Sequence, residues 1–68
     1  MRYIIIYMNG GLQHDPHIYK SITYAKQIAE KRLAIPGEPL RNWVRFDEGK
    51  EFLAGNGSLS AYILQVIE

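Results

Sequence analysis

The sequence predicts an α+β domain. One helix packs on one face of a mainly antiparallel sheet of three to five strands, in the order β-(β)-α-β-β-β. Three observations carry this expectation. One stretch alone, residues 21–34, places apolar residues at helical spacing. The segments around it are β-branched and aromatic, or alternate every second residue. Turn residues separate them: Asn9-Gly10-Gly11, Asp47-Glu48-Gly49-Lys50 and Gly55-Asn56-Gly57-Ser58.

Arg2-Tyr3-Ile4-Ile5-Ile6-Tyr7-Met8 reads as a strand, and its nearly continuous apolar run suits a central position or one face left sticky. A short second strand is expected between Leu12 and Lys20, where Asp15-Pro16 favours a turn. Ser21 then has the chemistry of a helix N-cap. Ile22, Ala25, Ile28, Ala29 and Leu33 form the apolar stripe, and Lys31 and Arg32 suit the negative end of the helix dipole. Pro36 disfavours a helical Ile35, so the helix should end near Ala34. Tyr24, Lys26, Gln27, Glu30 and Lys31 fall largely outside the stripe.

Leu40-Arg41-Asn42-Trp43-Val44-Arg45-Phe46 comes next, followed by Glu51-Phe52-Leu53-Ala54. A three-residue hairpin with Gly49 in the left-handed region would set Phe46 opposite Lys50 and Arg45 opposite Glu51. Val44 would then face Phe52, and Trp43 would face Leu53. Strand side chains alternate between faces. Val44 and Phe52 are therefore expected on the core side, and Arg41, Trp43, Arg45 and Leu53 on the outer side. A cross-strand Arg45–Glu51 ion pair would add roughly 0.5 kcal/mol. In the last strand, Tyr62, Leu64 and Val66 alternate with Ala61, Ile63, Gln65 and Ile67, and both rows are largely apolar.

At 68 residues the chain is expected to be a single domain over 1–68, and its apolar content of 47% argues against disorder. It has no cysteine, so neither disulfides nor thiolate metal sites can supplement the core. A formal charge of +1 weakens the case for a generic DNA binder. The first apolar run is too short to span a bilayer and no cleavage pattern follows it, so a soluble cytoplasmic protein is expected.

No catalytic motif emerges. His14-Asp15-Pro16-His17 gathers two imidazoles and a carboxylate, but further strong ligands are missing nearby and Pro16 breaks the geometry. Neither glycine-rich turn continues into a phosphate-binding sequence. No cofactor and no metal are expected. The candidate binding residues are Arg41, Trp43, Arg45, Lys50 and Leu53. Arg and Trp are the residue types that most often carry interface energy, and Arg beside an aromatic also suits stacked bases. Protein binding, RNA or DNA binding and homodimerisation all remain open, with near-neutral charge favouring a protein partner. One helix can cover only one face of such a sheet, so the other face is expected to be exposed and partly apolar.

The run Ser21-Ile22-Thr23-Tyr24-Ala25-Lys26-Gln27-Ile28-Ala29-Glu30-Lys31, after an Ile-rich strand and before further strands, resembles the arrangement in small phage-encoded anti-CRISPR proteins. These pack a short amphipathic helix over a curved antiparallel sheet. The resemblance rests on the helix and the element order. It implies a non-enzymatic inhibitor that occupies a surface on a host protein or ribonucleoprotein complex in the host cytoplasm. That family shares no site motif that maps onto this chain, so no residue role is carried over. Segment 9–20 and the Arg41-Trp43-Arg45 row have no counterpart in it.

Overall fold

The computed structural model describes residues 2–55 and 59–66. The centre of the turn expected at Gly55-Asn56-Gly57-Ser58, and Ile67 in the last strand, lie outside the described residues. Five strands and one helix follow in chain order: β1 (Arg2–Met8), β2 (Leu12–His14), α1 (Ile22–Leu33), β3 (Val44–Asp47), β4 (Lys50–Ala54) and β5 (Ser60–Val66). The sheet order is β2-β1-β5-β4-β3 and every strand pair is antiparallel. The α+β architecture and the expected element order are both present.

The two strands with the longest apolar runs, β1 and β5, pair along their whole length and occupy the interior of the sheet. The segment between β1 and the helix covers the outer edge of β1. β2 pairs with Ile6, Tyr7 and Met8, the Asp15 amide donates to the Ile5 carbonyl, and Tyr19 and Tyr3 exchange backbone hydrogen bonds of 2.7 and 2.9 Å. Backbone groups at a sheet edge need partners or water, and a nearly unpatterned stretch supplies them here.

Ser21 caps α1, its hydroxyl accepting from the Tyr24 amide at 3.3 Å. The helix ends at an extended Ala34 (ψ 134°), just before Ile35, the residue that Pro36 disfavours in a helix. Ile35-Pro36-Gly37-Glu38 then closes with a 3.0 Å bond from the Glu38 amide to the Ile35 carbonyl. Proline second and a glycine of φ +84° third match a type II turn. Gly49, at φ +69°, makes the β3–β4 turn, and a Cβ there would collide with the Gln65 side chain.

The hairpin register agrees with expectation at Val44↔Phe52 and Arg45↔Glu51. It differs at the tip. Asp47, rather than Phe46, faces Lys50, and the ladder is irregular between Arg45 and Asp47. The extra residue on β3 bends this edge strand and blunts it against strand addition.

The assignment of faces is the main correction. α1 lies over the side that carries Leu53, Ala61, Ile63, Ile5 and Tyr7, all of them buried. Val44 and Phe46 are on the other side and more than half exposed, at 57% and 52%. Alternation and pairing were therefore legible while the side was inverted. The helix contributes Ala25, Ala29 and Leu33 to the core. Two alanines bring the helix backbone close, and Ala61 on the central strand leaves room for it. The Phe52–Tyr62 row would fill that space with rings.

Candidate functional site

Of the five residues singled out in the sequence, Leu53 is wholly buried beneath the helix. Trp43 is half-buried against the core, and its indole Nε1–H donates to Glu30 Oε2 at 2.8 Å. Lys26 Nζ stands 5.6 Å from the centre of the same ring. The residue expected to meet a partner is thus clasped by two residues of α1, one turn apart. Arg45 shares the helix side of the sheet through its pairing with Glu51, but it is exposed on the edge strand. Glu51 is bridged at 2.6 Å by Lys26 of the helix, where the sequence reading expected Arg45. Lys50 lies on the opposite face, 3.7 Å from Asp47. Arg41 is exposed in the segment leading to β3. The five residues therefore do not share one exposed face, since Leu53 is buried and Lys50 lies on the side of the sheet opposite Arg45.

The uncovered face is assembled by register. β1 contributes Ile4, Ile6 and Met8, and its partner β5 contributes Leu64, Tyr62 and Val66. Phe52 on β4 faces Tyr62, and Val44 on β3 faces Phe52. Leu12, opposite Met8 on the short edge strand, is 73% exposed. Phe46 and Phe52 both pack on Tyr62, with ring centres 6.0 and 4.7 Å away. The interior residues of this face are half-buried by one another, and its apolar rim on β2 and β3 is open. A contiguous exposed apolar patch with polar groups at its rim is the kind of surface that interaction sites use. Polar groups share the face: Arg2 opposite Val66, Lys50 opposite Leu64 and 3.7 Å from Asp47, and His14 opposite Ile6. Two signals for this face were in the sequence, namely the doubly apolar rows of β1 and β5. Which row lay under the helix depended on Ala61 and on Lys26 and Glu30 finding partners in Glu51 and Trp43.

A second feature lies where segment 12–17 meets the end of the helix. A cleft of about 390 Å³ is lined by Tyr7, Gln13, His14, Asp15, His17 and Arg32. Its polar groups largely satisfy one another. Asp15 accepts from the His17 amide at 2.8 Å and from the Tyr19 hydroxyl at 2.9 Å. Arg32 donates to Gln13 Oε1 at 3.1 Å and lies 4.5 Å from the centre of the Tyr7 ring. Burial, with the donated bond to Asp15 next, pushes the Tyr19 phenol up to about 12. Burial also raises Tyr7, helped by the Asp15 charge and opposed by Arg32. The Tyr7 hydroxyl is buried without a hydrogen-bond partner among the described residues. This arrangement latches the segment before the helix to the helix end. Among the described residues no group of three or more acidic, histidine or cysteine side chains could hold a metal ion. No helix among them is long and apolar enough to cross a membrane.

No protein-family model matches the chain, and no curated protein and no solved structure matches it.

Proposed function

We propose that this chain is a non-enzymatic protein-binding module that works through the open face of its sheet. The single observation carrying this reading is that face itself, mostly apolar between Leu12 on one edge strand and Val44 on the other, with His14 opposite Ile6 and Lys50 opposite Leu64. Burying apolar area is the main favourable term in association, at about 25 cal/mol per Å² before the costs of docking. A partner that covered the face would also take the exposed Leu12, Val44 and Phe46 out of water. The resemblance to anti-CRISPR proteins would make that partner a host defence complex and the module an inhibitor.

Binding of RNA or DNA is the weaker reading. Three rings lie together on the face, but two of them pack against Tyr62 rather than standing apart to receive bases. Aliphatic side chains outnumber them, and Lys50 is already beside Asp47.

The test is site-specific photo-crosslinking in a lysate of the source cells, with the probe at Val44 on the open face or at Gln27 on the exposed side of the helix. Protein adducts should arise from position 44 and be sparse from position 27. Equal yields from both positions would overturn the reading.

A further inference from the structure

We infer that a cleft between segment 15–19 and the first turns of α1 binds an organic ammonium cation, methylated ammonium fitting best. This site is separate from the open face of the sheet and does not depend on how that face is read.

The cleft has a volume of about 500 Å³ and is lined by Asp15, His17, Ile18, Tyr19, Tyr24 and Ile28. Apolar and aromatic walls around one placed charge, at that size, are usual for a small-molecule site. The chain builds it locally. Tyr19 is held by its backbone exchange with Tyr3 and is buried, so it forms the base. Ser21 caps the helix two residues later, and the first turn brings the Tyr24 ring to 5.8 Å from that of Tyr19. His17 stands on the other side, its ring centre 6.3 Å from Tyr19. The two pairs are inclined at 58° and 61°. Neither is stacked face to face, so ring faces are left for a third group.

Charge decides what that group is. Asp15 Oδ1 accepts from the His17 amide and Oδ2 from the Tyr19 hydroxyl, both neutral donors. No cation pairs with Asp15 among the described residues. Arg32, in the adjoining cleft, is engaged by Gln13 and by the Tyr7 ring. A carboxylate charge thus stands beside rings whose faces are also negative, and the two attract a cation in the same direction. Each Asp15 oxygen already accepts a bond, so the site offers charge more than vacant acceptors. A primary ammonium would lose water bonds there, whereas a methylated one has fewer N–H groups to satisfy and packs its methyls on Ile18 and Ile28. The chain places cations of its own over Trp43 and Tyr7. Tyr24, more than half exposed, has none over it among the described residues.

The experiment is a 1H–15N NMR titration of the full chain with choline and with its neutral isostere 3,3-dimethyl-1-butanol. Choline should shift the amides of Asp15, His17, Tyr19 and Tyr24 saturably, and the alcohol should bind about tenfold more weakly. Asp15→Asn should weaken choline about five- to tenfold, and Tyr24→Ala about fivefold, each retaining the dispersed spectrum of the folded chain. Equal binding of choline and the alcohol would overturn the inference by making the cleft merely apolar. Non-saturating shifts, or shifts confined to other residues, would also overturn it. If Asp15→Asn does not fold, the isostere and the exposed Tyr24→Ala variant decide. Acetyl-lysine amide (acetylated at Nα) binding as tightly as its trimethyl form would overturn the preference for methylated ammonium. Of the methylated probes, tighter binding of choline supports a free or headgroup cation, and tighter binding of the trimethyl-lysine amide supports a modified protein side chain. None of these results bears on the adducts expected at position 44, so the two readings fail separately.

Discussion

The two faces of the sheet are made of nearly the same residue types, yet they do different work. The covered face holds Ile5, Tyr7, Leu53, Ala61 and Ile63 beneath a helix whose contact residues are two alanines and a leucine. Its polar margin is closed by two links to that helix, Lys26 to Glu51 and Trp43 to Glu30. The open face holds larger side chains, Phe52, Tyr62 and Leu64 among them, and has no covering element among the described residues. Hydrophobicity alone does not choose between them. Side-chain size and the partners available to the helix's flanking charges do. The half-buried ion pair is worth about 1 kcal/mol, and close packing over Ala61 and Leu53 is worth several. Packing therefore selects the side, and the polar links hold the helix in place on it.

The sharpest way to break this comparison uses adjacent residues on opposite faces. Leu53→Ala should cost about 3–4 kcal/mol, because a wholly buried side chain is removed, and for so small a domain that approaches global unfolding in urea. Phe52→Ala, one residue away on the open face, should cost roughly half as much, because its side chain is only half-buried. Equal losses for the two would erase the distinction between the faces.

Trp43→Phe should cost about 1–2 kcal/mol through the lost indole bond to Glu30, and the Glu30→Gln change should be partly non-additive with it. A double-mutant cycle in denaturant measures that coupling. Strict additivity would mean that the clasp on Trp43 contributes nothing.

Alkaline titration probes the latch before the helix. The Tyr19 phenol is raised in the folded state to about 12 from the ordinary 10. Its contribution is therefore fully present below pH 10 and is lost as the pH rises through 12. The expected loss is of order 1–2 kcal/mol, because the site borders solvent. Tyr19→Phe should flatten the stability profile between pH 10 and 12, and an unchanged slope in that variant would assign it to another group.

The smallest effect is expected at Tyr7. Its hydroxyl is buried without a hydrogen-bond partner among the described residues, so Tyr7→Phe should be neutral or stabilising by up to about 1 kcal/mol in thermal melts. A loss of more than that would show that water or a ligand bonds the hydroxyl.

Local chemistry wrote the helix limits, the Ser21 cap, the Gly49 turn and the Val44–Phe52 register into the chain, because each depends on residues close in sequence. Segment 12–19 was hard to read for the opposite reason. It pairs with β1 through backbone atoms, which leave little side-chain pattern. At the candidate site, the alternation Trp43-Val44-Arg45-Phe46 was plain, but its orientation was not. Both rows are rich in apolar groups, and an alternation of period two reads the same from either side. The sequence by itself determined the elements, their order and the presence of a second apolar face. Only the tertiary structure decided which face that was. The decision belongs to the burial of Ala25, Ala29 and Leu33 in one core with Ala61, and to the meeting of Lys26 and Glu30 with Glu51 and Trp43. These contacts join residues far apart in the chain, so no local pattern announces them.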